Sequence, residues 1–106
     1  MKIIIVGAGE VGSHLAKLLS KENQDVILVD SNESKLSNLD SYNLMTFVGS
    51  PTSFKTLKSV NIDQADLFIA VTPYETQNIS ACSMAHWLGA KYTVARIDNY
   101  EYLKPQ

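Results

Sequence analysis

Gly7, Gly9 and Gly12 stand at the spacing G-x-G-x-x-G, directly after the apolar run Ile3-Ile4-Ile5-Val6. Glycines at that spacing suit the cradling of a phosphate. Gly7 makes a tight turn, Gly9 lets a pyrophosphate approach the backbone, and Gly12 lets the next helix pack closely on the strand. The helix N-terminus then offers unpaired N–H groups and roughly half a positive charge to the anion. Ala8, Glu10 and Val11 complete this loop and belong to the same candidate set. Asp30 closes a second apolar run, Val26-Ile27-Leu28-Val29, about where an acid accepting from ribose hydroxyls should sit. Its alternative role is to cap the helix that follows. A lone glycine motif is weak evidence, but beside Asp30 it points to a nucleotide-binding Rossmann unit.

Such residues need strands and helices in strict alternation to hold them. Strands are expected at about 2–6, 26–29, 44–48, 67–71 and 92–97, and helices at about 10–21, after 32, from 53 and at 75–88. Val11, Leu15, Leu18 and Leu19 fall at i, i+4, i+7 and i+8, which predicts the buried face of the first helix. Ser31 or Asn32 is the expected N-cap of the second helix, with Leu36 and Leu39 inward. The third helix is expected to bury Phe54, Leu57 and Val60, and the fourth to stop at Gly89. Near-continuous apolar strands between helices imply a three-layer α/β/α domain around a doubly wound parallel sheet, in the order 3-2-1-4-5.

In a sheet of that kind ligands lie beyond the carboxyl ends of the strands. The second strand brings Asp30 and Ser31 there. The third brings Gly49 and Ser50, either flanking an adenine or forming a plain turn. The fourth strand brings Val71, Thr72 and Pro73 at its tip, near phosphates or the second ribose, with Thr72 alternatively an N-cap. Arg96, the only arginine, is expected inside the fifth strand, where its charge needs a partner: a phosphate, Glu75 or a chain terminus. A carboxylate at Asp30, with no arginine in Ser31-Asn32, favours NAD(H) over NADP(H), although Lys35 lies near. It does not separate NAD from ATP, ADP or AMP, which carry the same adenosine ribose.

Composition bounds the alternatives. The 106 residues make one domain, 45% hydrophobic and 19% charged, with a net charge of −2. That balance gives no basic stripe for nucleic acid. The single cysteine, Cys82, leaves no internal disulfide and no cysteine metal cluster, which fits a reducing compartment. Apolar runs fall far short of the ~20 residues that span a bilayer, and the N-terminus does not read as a signal peptide. His14, His86 and Cys82 read as structural side chains, so no catalytic and no metal-binding residue is assigned. The sixth strand of a full Rossmann sheet is missing after the fifth, and the chain is expected to be a domain of something longer.

The stretch Met1 to Gly12 closely resembles the start of TrkA-type proteins, which carry the regulator-of-potassium-conductance (RCK) N-terminal domain. The likeness continues through Val29-Asp30, Ala65-Asp66, Ala70-Val71-Thr72, Asn78 and Ala95-Arg96-Ile97, and so covers essentially the whole chain. The resemblance implies a cytoplasmic regulatory domain, residues 1–106, without catalysis. It would bind NAD(H) or an adenine nucleotide at the inner face of the cell membrane, beside a potassium channel or transporter. It also implies dimers and higher rings, and nucleotide contacts at Gly7 to Val11, Asp30, Thr72-Pro73 and Arg96. Two stretches depart from the family pattern: Ser50-Pro51 replaces an acidic residue, and Pro73 to Asn78 keeps only Glu75 and Asn78.

Two other functions compete. One is the cofactor-binding domain of an NAD-dependent oxidoreductase, with its catalytic half downstream. The other is an NAD(H)-sensing transcriptional regulator, against which the charge balance argues. Trp87, Tyr100, Tyr102 and Leu103 are the expected dimer surface.

Overall fold

A strand that is apolar on both sides belongs at the centre of a sheet covered on both faces. Residues 3–6 occupy that place. The computed structural model describes residues 1–39 and 43–98. Its strands are β1 (Lys2–Val6), β2 (Asp25–Asp30), β3 (Met45–Val48), β4 (Leu67–Ala70) and β5 (Tyr92–Ala95), and its α-helices are α1 (Glu10–Lys21), α2 (Phe54–Ser59) and α3 (Glu75–Trp87). Single 3-10 turns cover Glu33–Leu36 and Ile62–Gln64. All pairings are parallel and the order is β3-β2-β1-β4-β5, as the alternation of elements required.

The period of two along each strand divides the core into two layers. Ile4, Val6, Ile27, Val29, Phe68 and Ala70 pack toward Leu57, Val60, Ala81 and Ala85 of the α2 and α3 side. Ile3, Ile5, Val26, Leu28 and Ile69 pack toward Ala8, Ala16, Leu36 and Leu39. Ile4 stands opposite both Ile27 and Phe68, so the registers of three strands meet at one buried row.

The expected face of α1 is wrong by about one side chain. Its buried residues are Gly12, Ala16 and Ser20, while Val11 and Leu18 are exposed and Leu15 and Leu19 only flank the core. The cause is close approach: α1 starts so near the sheet that only small residues fit beneath it, and the larger ones spread to the sides. Phe54 is a second correction. It is exposed, because in a helix of six residues Thr56 and Leu57 take the inward positions. Ser53 caps α2 through its hydroxyl, which accepts from the Thr56 N–H at 3.3 Å.

The first 3-10 turn is capped by Asn32, not Ser31: its Oδ1 accepts from the Ser34 N–H at 3.0 Å. Helix α3 closes with a Schellman pair, Ala90 N–H to Ala85 O and Gly89 N–H to His86 O, and Gly89 takes φ +111. Trp87 is exposed at that end; Tyr100, Tyr102 and Leu103, the rest of the expected dimer surface, lie outside the described residues. Among the described residues no helix is long and apolar enough to cross a membrane, and no group of three His, Cys, Asp or Glu is placed to hold a metal ion.

Candidate functional site

The site is built from the carboxyl ends of β1, β2, β4 and β5. After Val6 the chain turns at Gly7, whose φ is +105 and whose N–H donates to Val29 O at 2.8 Å. A Cβ there would come within 2.8 Å of the Thr72 nitrogen. At Gly12 a Cβ would collide with the carbonyl oxygen of Gly7. These two glycines are required by the protein itself. Gly9 differs: nothing lies within 4 Å of where its Cβ would be, and it stands as the N-cap of α1 with no side-chain cap. The space beside Gly9 and the uncapped first turn at Glu10, Val11 and Gly12 therefore fit an anionic group held by backbone N–H groups.

Asp30 is buried and fixes the loop from below. Its Oδ2 accepts from the Ala8 N–H and its Oδ1 from the Asn32 N–H, both at 2.8 Å. A carboxylate has about four lone-pair sites, so two bonds to backbone leave capacity for ribose hydroxyls. Ser31 beside it is exposed. The Gly49-Ser50-Pro51 segment has the features of a turn. The Gly49 N–H donates to Asp30 O at 3.0 Å, and a Cβ on Gly49 would meet Thr56 Oγ1 at 2.6 Å. The Ser50 hydroxyl, which is exposed, accepts from the Thr52 N–H at 3.3 Å.

At the tip of β4, Val71 and Thr72 are buried and Pro73 is exposed. Thr72 is not the cap of α3; Tyr74 stands there. Thr72 is bound instead to Asn78, which is 1% exposed and which sequence reasoning left outside the candidate set. Asn78 Oδ1 accepts from the Thr72 N–H at 2.9 Å and from its hydroxyl at 2.7 Å. Asn78 Nδ2 donates to Thr72 O at 2.9 Å and to Arg96 O at 3.0 Å. The signal in the sequence is a lone Asn early in the helix that follows β4.

Arg96 is a correction. It is expected inside the fifth strand, but β5 ends at Ala95 and the Arg96 side chain is 42% exposed. Among the described residues its charge is met by Asp98, Nε to Oδ1 at 3.3 Å, and not by Glu75; the C-terminus lies outside the described residues. The backbone N–H of Arg96 still donates to Ala70 O, which keeps it at the mouth of the sheet.

An open cleft of about 560 Å³ runs along α1, lined by Ala8, Gly9, Glu10, Ser13, His14, Lys17 and Lys35. It gathers three of the expected residues. Asp30, Gly49, Ser50, Thr72 and Arg96 stand around the same edge of the sheet without lining it. The fold and this edge define the chain as a doubly wound parallel α/β domain of the Rossmann type.

The TrkA-N domain family matches residues 3–105, and the chain belongs to that family. It is 43% identical over 106 residues to the Trk system potassium uptake protein TrkA of Haemophilus influenzae, covering 98% of this chain and 23% of that protein. The TrkA homolog of Archaeoglobus fulgidus is 35% identical over 103 residues, covering 97% of this chain and again 23% of the relative. The chain thus spans about a quarter of the length of the curated relatives it matches. Two solved structures share the fold. The NAD(P)-binding domain of an exopolyphosphatase-related protein from Archaeoglobus fulgidus superposes with a TM-score of 0.82 at 16% identity, covering 93% of this chain and 74% of that one. The Kef C-terminal domain of Shewanella denitrificans, in its AMP-bound form, gives 0.80 at 21%, covering 97% and 65%.

Proposed function

We propose that this domain is a nucleotide sensor of a potassium uptake system, binding NAD(H) or an adenine nucleotide and performing no catalysis. The observation that carries the reading is the open side of Gly9 at the uncapped start of α1, next to Ala8, whose N–H is held by Asp30. A pyrophosphate would lie on the first-turn N–H groups of α1, and Asp30 would accept from the adenosine ribose. Thr72 and Arg96 would face the distal half of the ligand from β4 and β5.

The relatives named as Trk potassium uptake proteins and the AMP-bound Kef domain support this ligand class and a membrane transporter as partner. On this reading the domain works at the cytoplasmic face of the membrane, assembled as a dimer or a larger ring. A ligand shifts a gate only through unequal affinity for two conformations. NADH, NAD+, ATP, ADP and AMP, differing beyond the shared adenosine, would then hold different states.

Thermal unfolding with that nucleotide panel tests the reading. A nucleotide at 100 times its dissociation constant should add about 2.7 kcal/mol to stability. NADPH should bind more weakly than NADH, because Asp30 repels a 2′-phosphate. No stabilisation by any member of the panel would end the proposal.

A further inference from the structure

The fold leaves the tips of β4 and β5 joined by one buried side chain. A primary amide offers two donors and two acceptor lone pairs, and Asn78 uses all four: Thr72 N–H and Thr72 hydroxyl on Oδ1, Thr72 O and Arg96 O on Nδ2. The orientation of the amide is fixed by this set. Turned over, it would set N–H against N–H and carbonyl against carbonyl. Asn78 sits on α3, so the bridge spans three elements: the β4 tip, the helix and the residue that follows β5.

We infer that Asn78 is a positioning residue that ties Thr72 to Arg96, so that a nucleotide contact at the β4 tip is felt in the placement of Arg96. The inference rests on the nucleotide-sensor reading and gives it a path from ligand to β5. Both Thr72 donors are bonded to the same Oδ1, and the hydroxyl oxygen also accepts from the Tyr74 N–H at 3.2 Å, so a phosphate that engages Thr72 must take a donor away from Asn78. Movement of Thr72 toward a phosphate pulls on the amide, and the other end of that amide holds the Arg96 carbonyl. Asp98 is paired with the Arg96 side chain and lies two residues further on, so the ion pair would move with it. A side chain serving packing alone would need no such set, and a leucine of similar size would be a better choice for the core.

The test is a double-mutant cycle read by calorimetry with NADH, on wild type, Asn78→Asp, Arg96→Ala and the pair. Asn78→Asp preserves the acceptor toward Thr72 and replaces the donor toward the two carbonyls with a carboxylate oxygen. Wild type must bind NADH; if it does not, the sensor reading itself falls. Given binding, Asn78→Asp should weaken NADH by about tenfold, and adding it to Arg96→Ala should cost less than twofold more, by order-of-magnitude reasoning on coupled neighbours. Losses that multiply would overturn the inference and leave Asn78 a structural residue. A second measurement needs no variant. The Asn78 side-chain amide resonances of wild type should shift with NADH along the same saturation curve as the Gly9 amide, and unmoved resonances at saturation would overturn the inference equally.

Discussion

The Asp30 carboxylate and the Ala8 amide, 22 residues apart in sequence, meet at 2.8 Å, and this bond joins the end of β2 to the loop after β1. The other oxygen of Asp30 accepts from the Asn32 N–H at the same distance. One side chain thus orders both the glycine loop and the turn beside it before any ligand arrives. Asp30 is not the cap of the following turn, which is Asn32; the other expected role, ribose acceptor, is compatible with these two bonds on one carboxylate.

Asp30→Asn should therefore cost stability as well as affinity. The amide has one acceptor oxygen, so either Ala8 or Asn32 would present its N–H to an NH2 group. An unsatisfied buried donor costs about 1–3 kcal/mol, and urea unfolding should read a loss in that range. Calorimetry with NADH should show weaker binding in the same variant. Unchanged stability would mean that the two backbone bonds contribute nothing.

The three glycines of the motif should separate into two kinds. Gly12→Ala forces a methyl group into the Gly7 carbonyl, and overpacking against backbone costs about 1–3 kcal/mol or more. Gly9→Ala meets no atom, and its φ of −74 suits any residue. It should cost less than about 1 kcal/mol, the difference between Gly and Ala as N-caps, yet reduce nucleotide affinity sharply. Thermal melts of the two variants, each with and without NADH, check both halves.

Much of the fold was legible because its signals are local. The bounds of β1 and α1 follow from an apolar run, three glycines and a helical period read within twenty or so residues, and the sheet order follows from the alternation of elements. The face of α1 was not legible, since it depends on how closely the helix approaches the sheet. That distance is set by the Gly7–Gly12 contact and favours Ala16 over Leu18. The role of Asn78 was hidden for a related reason: one of its partners is a backbone carbonyl 18 residues away. Arg96 was misplaced because the apolar pattern runs past the point where β5 ends.

The exposure of Phe54 beside the buried Leu57 on α2 can be measured directly. Leu57 is fully buried, and Leu57→Ala should cost about 2–5 kcal/mol. Phe54 is 54% exposed, and Phe54→Ser should stay within about 0.5 kcal/mol, as for most surface substitutions. Urea midpoints at constant m-value report both. A large loss at Phe54 would contradict the packing.

Burial pushes the Cys82 thiol up to about 11 from its ordinary 9.0, against hydrogen bonds to the Ala70 backbone and the Thr93 side chain that pull it down. The thiol is the neutral form in the folded chain while the unfolded chain ionises near 9.0. Its contribution to stability is therefore fully present below pH 9.0 and is lost as pH rises toward 11. Cys82→Ala should flatten that decline in stability between those pH values. At pH 8 iodoacetamide should react slowly with the native chain and rapidly after unfolding in urea, since the thiolate is the reactive form.

Arg96 separates binding from folding most cleanly. Its ion pair with Asp98 joins side chains that are 42% and 60% exposed, and pairs so wetted contribute no more than about 1 kcal/mol. Among the described residues, removing the guanidinium leaves no buried group unpaired, because the bonds that anchor residue 96 to β4 and to Asn78 are made by its backbone. Arg96→Ala should thus melt within a few degrees of wild type, as about 1 kcal/mol implies for a domain of this size. A cation that meets a phosphate from across the sheet edge makes a charge-assisted contact of about 1.5–3 kcal/mol. NADH, ADP and ATP should therefore bind Arg96→Ala roughly 10- to 150-fold more weakly, whereas adenosine, which has no phosphate, should bind it like wild type. Asp98→Asn frees the guanidinium from its present partner and should move phosphate-bearing ligands the other way. Equal losses for adenosine and ADP would show that Arg96 shapes the cleft without meeting the phosphates.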